Sequence, residues 1–204
     1  MKKLVIKTVI ITVIAILAVC IAVMSAFWIF KPRVIAKMFD DLGSYKASQY
    51  FYEMQYNKTG EISDLLELID NAYEKQDSMG LRTYLGKLIS DNDFNAYCNS
   101  QNSGIAPNSI KAEEYYAGWY AEILYETGDI NLAIAFAKTY VLNNDGSVNM
   151  GYTQFNPFRT LANKNLELTE PQKQALKNAI LDLQASITDE FELGYISEDL
   201  NKLN

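Results

Sequence analysis

An uncharged apolar run near the N-terminus constrains this chain more than any other feature. From Thr8 to Phe30 there is no Asp, Glu, Lys or Arg, and segment 4–30 reads LVIKTVIITVIAILAVCIAVMSAFWIF. At about 1.5 Å per residue, a helix of this length would cross a hydrocarbon layer of roughly 30 Å. Lys7 at the start and Trp28 at the end match the flanks favoured at membrane interfaces. The run therefore predicts a transmembrane helix that contacts the lipid bilayer through residues 4–30.

The same run could instead be a cleaved signal peptide or a lipidated segment. A secretory signal has an apolar core of about 7–15 residues and then a small-residue cleavage site. Here the core is longer, and the best such site, 20–22, lies inside it. The pattern favours an uncleaved signal-anchor. Basic residues flank both ends almost equally, so the short N-terminal tail decides the orientation, with the tail in the cytoplasm and the domain extracytoplasmic. The predicted localisation is the cell membrane, as a single-pass protein.

Small residues recur on one face of this predicted helix. Ala18, Ala22 and Ala26 follow one another at four-residue spacing. Such faces let two helices approach closely, so these residues are a candidate transmembrane packing face for self-association. The alternative is that alanine is simply frequent in segments of this kind.

The sequence divides into three parts. Residues 1–31 form the predicted tail and transmembrane helix, 32–43 a short linker that begins around Pro32, and 44–204 the domain. All 25 acidic residues lie at or after Asp40, so residues 38–204 carry 12 basic and 25 acidic groups, a net charge of −13. Nucleic-acid binding needs clusters of Lys and Arg, so a nucleic-acid partner is excluded from the interpretation.

Hydrophobic periodicity predicts that residues 44–204 are helical nearly throughout. Asn108 or Ser109 is placed to cap a helix that runs to about Tyr125. Thr169 is placed to cap the last long helix, with Gln172 completing a capping box. The apolar stripe of that last helix, predicted to be core, is Leu176, Ala179, Ile180, Leu183, Ile187 and Phe191.

The predicted helices repeat in pairs. The second helices begin after Gly60-Glu61, after Asn92-Asp93 and after Gly128-Asp129, so the acidic residues lie 32 and 36 residues apart. One helix–turn–helix unit of the tetratricopeptide class is about 34 residues long.

Segment 113–142, EEYYAGWYAEILYETGDINLAIAFAKTYVL, resembles a tetratricopeptide repeat through Ala121, the Gly128-Asp129 turn and Ala133-Ile134. Segment 49–74 is a weaker match. The chain departs from the family pattern where Ala117 replaces the first-helix aromatic residue and where no Pro closes the unit. The resemblance implies an all-α stack of about three to four helical hairpins behind the N-terminal helix. A non-repeating helical bundle is the alternative.

Such a stack would bind a protein or peptide in the groove lined by its first helices. Mapped onto this sequence, the groove candidates are Tyr50, Met54, Asn57, Arg82, Tyr115, Glu122 and Tyr125. The resulting hypothesis is a membrane-anchored, non-enzymatic scaffold or adaptor with a protein or peptide partner at the membrane. The alternative is a structural subunit of a multi-protein membrane complex.

The residue types argue against catalysis. The chain has no His and only two Cys, Cys20 and Cys98. It therefore lacks the commonest general base and the residues of a zinc cluster. Segment 143–146 has calcium-ligand residue types, but Tyr152 stands where the bidentate Glu is needed. No catalytic residue, metal site or cofactor is predicted.

Overall fold

The computed structural model describes residues 2–106, 109–142 and 147–204, and these residues are all-α, as predicted. Within them the one pairing of strand type is an isolated antiparallel bridge between Leu142 and Val148. Contacts divide the chain into two units, Met1–Asn71 (unit 1) and Ala72–Asn204 (unit 2). The helices are α1 Lys2–Phe30, α2 Pro32–Asp41, α3 Tyr45–Thr59, α4 Ile62–Glu74, α5 Ser78–Ile89, α6 Phe94–Asn102, α7 Ala112–Glu126, α8 Ile130–Val141, α9 Pro157–Ala162, α10 Glu170–Gln184 and α11 Glu190–Lys202, with a 3₁₀ turn at Asn165–Glu167.

The predictions of a transmembrane helix and of a single-pass membrane localisation are wrong. Among the described residues, none of the helices combines the length and the apolar character that a membrane crossing requires. The side chains of the predicted flanks, Lys7 and Trp28, lie outside the described residues.

The small-residue face predicted for self-association lies on α1. The side chains of Ala18, Ala22 and Ala26 are exposed within the chain. Because the prediction of a membrane helix is wrong, these residues are not a transmembrane packing face. Their self-association stays a prediction.

In unit 1, the segment predicted as a linker contains a helix, α2, which packs against α3. Pro32 starts this helix because its missing N–H is not needed in a first turn. Ile35 is buried, and Phe39 stacks on Phe51 of α3 with ring centroids 5.6 Å apart. Asn71 of α4 donates from Nδ2 to Asp40 at 2.7 Å, a bond that joins α4 to the end of α2.

In unit 2, α7 is the central helix and packs against α5, α6, α8 and α9. Small residues make this possible, because Ala117, Gly118 and Ala121 present almost no side chain at the contacts and are buried. A Cβ at position 118 would overlap the carbonyl oxygen of Phe155, so the segment before α9 lies directly on the α7 backbone.

The helix order in unit 2 is that of a repeat-like array. In this array the first helices of the predicted pairs contact one another, because α7 packs against both α5 and α9. The second helices α8 and α10 also pack against each other. Gly128 supports the α7–α8 turn with a φ of +82°, which residues with a side chain rarely adopt. The predicted second helices begin at Ile62, Phe94 and Ile130, immediately after the predicted turns.

Two helix boundaries differ from the prediction. The last long helix ends at Gln184, and a separate helix, α11, begins at Glu190. Phe191 therefore leaves the predicted core stripe and is 84% exposed, while Leu176 and Ile180 are buried as predicted. The physical reason is that Asp189 caps a new helix by accepting hydrogen bonds from two backbone N–H groups.

The start of α7 also differs. Its N-cap position is Lys111 rather than Ser109, and the other predicted cap, Asn108, lies outside the described residues. Asn102 of α6 accepts the hydrogen bond of the Ala112 N–H through its side-chain oxygen at 2.8 Å. A residue of the preceding helix thus provides the hydrogen-bond acceptor that an N-cap side chain would otherwise provide. The capping box of Thr169 and Gln172 on α10 is confirmed.

Candidate binding surface on helix α7

Four aromatic side chains form a continuous partly exposed surface in unit 2, called here the aromatic surface: Tyr73, Tyr115, Trp119 and Phe155. Tyr115 and Trp119 are four residues apart on α7, which places them on one face of the helix. Trp119 contacts both tyrosines, with ring centroids 5.8 Å from Tyr115 and 5.6 Å from Tyr73. Phe155 meets Tyr115 at 5.7 Å. Tyr73 is 64% and Tyr115 43% exposed, so both rings are accessible to solvent.

An apolar pocket of about 430 Å³ adjoins one end of this surface and is called here the α6–α7 pocket. Its aromatic wall comes from Tyr97, Tyr115, Tyr116 and Phe155, and Tyr97 and Tyr116 share a hydrogen bond between their hydroxyls at 3.2 Å. The lining also includes Ile105 and Ile110 from the connection that precedes α7, and these isoleucines are 40% and 44% exposed.

A smaller pocket of about 270 Å³ lies at the other end, beside Tyr73 and Trp119, and is called here the acidic pocket. Two carboxylates line it, Glu122 and Glu126, both from the last turns of α7. The remaining lining residues are Gln76, Ser78, Leu81 and Ile123.

A third pocket, of about 560 Å³, continues past Glu126. Its walls are tied together by polar contacts, because Tyr125 donates to Glu167 at 2.5 Å and Lys164 pairs with Glu122 at 2.8 Å. Desolvation, together with the hydrogen bond to Glu167, raises the pKa of Tyr125 to about 12. The hydrogen bond to Glu122 raises the pKa of Lys164, so this lysine remains charged at neutral pH.

Three of the residues predicted from the sequence lie at these pockets: Tyr115, Glu122 and Tyr125. Arg82 is engaged elsewhere, since its guanidinium pairs with Asp129 at 3.0 Å and thereby joins α5 to the start of α8.

The other three predicted groove residues, Tyr50, Met54 and Asn57, lie on α3 in unit 1. Tyr50 is 51% exposed. Their part in a binding groove stays a prediction.

Sequence reasoning missed Tyr73, Trp119, Phe155 and Glu126. A signal for Trp119 was present, because Tyr115 and Trp119 stand at the four-residue spacing of one helix face. The repeat pattern places its first-helix aromatic residue at position 117, so Trp119 is out of register with that pattern. Phe155 follows no regular helix and reaches Tyr115 only through the folding of 147–156 against α7, which no local pattern shows.

Two chemistry-bearing side chains elsewhere in unit 2, Cys98 and Asp199, are buried in the fold. Burial and the nearby Glu113 carboxylate raise the pKa of the Cys98 thiol to about 12, so at neutral pH the thiol is protonated and a poor nucleophile. Buried Asp199 accepts hydrogen bonds from Tyr152 and Lys202. Within the described ranges, no group of three or more His, Cys, Asp and Glu residues could hold a metal ion.

No protein-family model, curated protein or solved structure matches this chain. The resemblance to tetratricopeptide repeats therefore rests on the residues of 113–142 alone. The function has to be argued from the surface of unit 2 itself.

Proposed function

We propose that this chain is a non-enzymatic scaffold or adaptor that binds a protein or peptide segment across the aromatic surface. The observation that carries the proposal is the exposure of Tyr73 and Tyr115 beside Trp119, with an open pocket at either end. Trp and Tyr supply much of the binding energy at protein interfaces, because they bury a large apolar area and lose few rotamers.

The dimensions of the surface favour a segment of chain as the ligand. The α6–α7 pocket can take an apolar side chain between Ile105, Ile110 and the ring of Tyr115. The acidic pocket begins on the other side of Trp119, so a bound segment would lie along α7 and place one side chain in each pocket. Pockets that receive anchor side chains next to exposed aromatic rings are typical of peptide recognition.

We also propose that unit 2 is a divergent tetratricopeptide-like array. Three features support this proposal: the small buried residue Ala121, the Gly128-Asp129 turn and the packing of α7 against both α5 and α9. In such arrays each helical pair contacts its neighbours, and the exposed face of the first helices is the usual binding surface. The aromatic surface lies on α7, a first helix in this scheme.

The test is selection of binding peptides with the full chain, from a random library of 12-residue peptides. The dissociation constants of the selected peptides are then measured by fluorescence anisotropy for the wild-type chain, Tyr115→Ala and Trp119→Ala. We expect each substitution to weaken binding about tenfold or more, which corresponds to about 1.4 kcal/mol for one anchor residue.

Phe191→Ala is the matched control, because Phe191 is a highly exposed aromatic residue on α11 that lines none of the three pockets. Far-UV circular dichroism shows whether each variant keeps its helical content. Peptides that bind all the variants equally, or a selection that yields no binder, would contradict the proposal. The second result would favour a structural subunit that meets its partners through a larger surface.

A further inference from the structure

The acidic pocket combines two features that attract cations. Tyr73 and Trp119 form one wall, with their ring planes at 84° to each other, and Glu122 and Glu126 form another. The faces of Trp and Tyr rings carry negative electrostatic potential and attract Lys or Arg groups within about 6 Å. A carboxylate beside an aromatic face adds a direct ionic partner for the same charged group.

The two carboxylates differ in their availability. Glu122 is paired with Lys164 at 2.8 Å, whereas Glu126 is exposed and forms no salt bridge among the described residues. Glu126 is also the last residue of α7, where the helix dipole disfavours negative charge. A glutamate at this position therefore gains nothing from the helix dipole. It places a negative charge at the rim of the pocket, near enough to Lys164 to help raise the pKa of that lysine.

Gln76 supplies a polar side chain at the same pocket from an uncommon backbone conformation. Its φ is +55°, and in the described ranges it is the one residue other than glycine with positive φ. The turn that it forms closes α4 with a hydrogen bond from the Asp77 N–H to the Ala72 carbonyl at 2.9 Å. Glycine would adopt this backbone conformation at lower energy, so glutamine at this position lowers the stability of the fold. A role in binding would explain why a side chain is present here.

The net charge of unit 2 also favours a positively charged ligand. Residues 72–204 carry 10 basic and 18 acidic side chains, a net charge of −8. Such a surface accelerates the approach of a positively charged segment and repels an acidic one.

We propose that the acidic pocket binds the Lys or Arg side chain of a basic peptide segment, with Glu126 as its ionic partner and Tyr73 and Trp119 as its aromatic wall. This inference rests on the proposed function and names the chemistry of the ligand. The ammonium or guanidinium group lies against the ring faces, and the Gln76 side-chain carbonyl accepts one of its N–H groups. The neighbouring side chains of the segment extend along α7 over Tyr115.

The experiment uses Trp119 as the reporter in a full-length chain with Trp28→Phe, since Trp119 is then the single tryptophan. The probes are acetylated and amidated 12-residue Gly/Ser peptides that contain three Lys, three Arg, three acetyl-lysine or three Glu. We expect a saturable change in Trp119 emission with the Lys and Arg peptides and none with the other two. Raising the salt concentration should weaken the binding.

Three variants test whether the Lys or Arg side chain of the peptide binds in the acidic pocket. Glu126→Gln should weaken binding of the Lys peptide about three- to tenfold, and Glu126→Lys should abolish it. Gln76→Gly should weaken binding while it raises the melting temperature, a combination that a purely structural role would not give. Glu190→Gln on α11 is the matched control, because it removes the same charge from a residue that lines none of the pockets.

The outcomes separate this inference from the proposed function. Equal weakening by Glu126→Gln and Glu190→Gln, or equal binding of Lys and acetyl-lysine peptides, would overturn the cation pocket. If library-selected peptides need Tyr115 and Trp119 but carry no excess of Lys or Arg, the cation pocket fails and the proposed function stands. If the selected peptides ignore the aromatic surface, the proposed function itself fails.

Discussion

Gly118 lies where α7 meets the segment before α9 with no room for a side chain. A Cβ there would overlap the carbonyl oxygen of Phe155, a backbone atom that can move only with its whole segment. We therefore expect Gly118→Ala to lower the free energy of unfolding by about 3 kcal/mol, since overpacking of a rigid contact exceeds the gain in helix propensity. Urea unfolding in the Trp28→Phe background, followed by Trp119 fluorescence, measures the change.

Gly194→Ala provides the control for that substitution. Gly194 is also inside a helix, and nothing lies within 4 Å of a Cβ built there. This variant should gain about 0.5–1 kcal/mol, because alanine is the better helix former. A Gly118→Ala variant as stable as Gly194→Ala would mean that segment 147–156 does not lie on α7.

At the residue scale, the sequence could identify exposed aromatic candidates but not their partners. Tyr115 and Tyr125 stand on α7 as helical spacing predicts, and both line pockets. Arg82, predicted for a groove, instead pairs with Asp129, which is 47 positions further along the chain. Helical periodicity shows only which residues share a face, so it could not reveal that pair.

Helix α11 depends on a cap that also explains why it is separate from α10. The Asp189 side chain accepts hydrogen bonds from the N–H groups of Phe191 and Glu192 at 2.9 and 3.1 Å. Asp189→Ala removes the Oδ1 acceptor that both N–H groups share and should lower the free energy of unfolding by about 1 kcal/mol. Urea unfolding followed by circular dichroism measures the loss.

Ser44→Ala is the matched control for the cap. Ser44 occupies the N-cap position of α3, but its side chain makes no capping hydrogen bond there. Its replacement should change the free energy of unfolding by only a few tenths of a kcal/mol. Equal effects of the two substitutions would show that the Asp189 cap does not stabilise α11.

At the element scale, helix boundaries were predictable where the chain marks them with glycine. Gly60 and Gly128 both have positive φ, and the helices that follow start where expected. The break between α10 and α11 at 185–189 contains neither Gly nor Pro. The predicted apolar stripe therefore continued across this break to Phe191. Pro32 was misleading in a different way, because it begins helix α2 within the segment that was predicted to be a linker.

At the scale of the whole molecule, the all-α class followed from periodicity, but the packing order did not. Local spacing cannot show that α7 packs against four other helices, since these contacts depend on Ala117, Gly118 and Ala121 meeting partners far along the chain. The same limit applies to the aromatic surface, which consists of Tyr73 of α4, Tyr115 and Trp119 of α7, and Phe155 of the segment before α9. The helix–turn–helix period predicted that the helices come in pairs. It could not predict which side chains of those pairs are exposed, because that depends on distant segments packing against α7.

The stability of the folded chain should depend on pH through Glu114, a buried carboxylate of α7. Burial raises the pKa of Glu114 above its ordinary value of 4.5, although Thr153 donates to the carboxylate at 2.9 Å and Lys111 lies nearby. The folded state therefore binds a proton more tightly than the unfolded state does. Between pH 4.5 and the raised folded-state pKa, the free energy of unfolding falls as pH rises, because ionisation of the buried group has a cost.

Glu114→Gln removes this titration and keeps an acceptor for Thr153. Relative to the wild-type chain, its free energy of unfolding should therefore rise with pH across that window and then stay constant at higher pH. Urea unfolding at a series of pH values from about 4 to 8 measures the difference between the two chains, with Glu190→Gln on the exposed start of α11 as the control. A Glu114→Gln difference that does not change with pH, or that falls as pH rises, would show that this carboxylate is not desolvated in the folded chain.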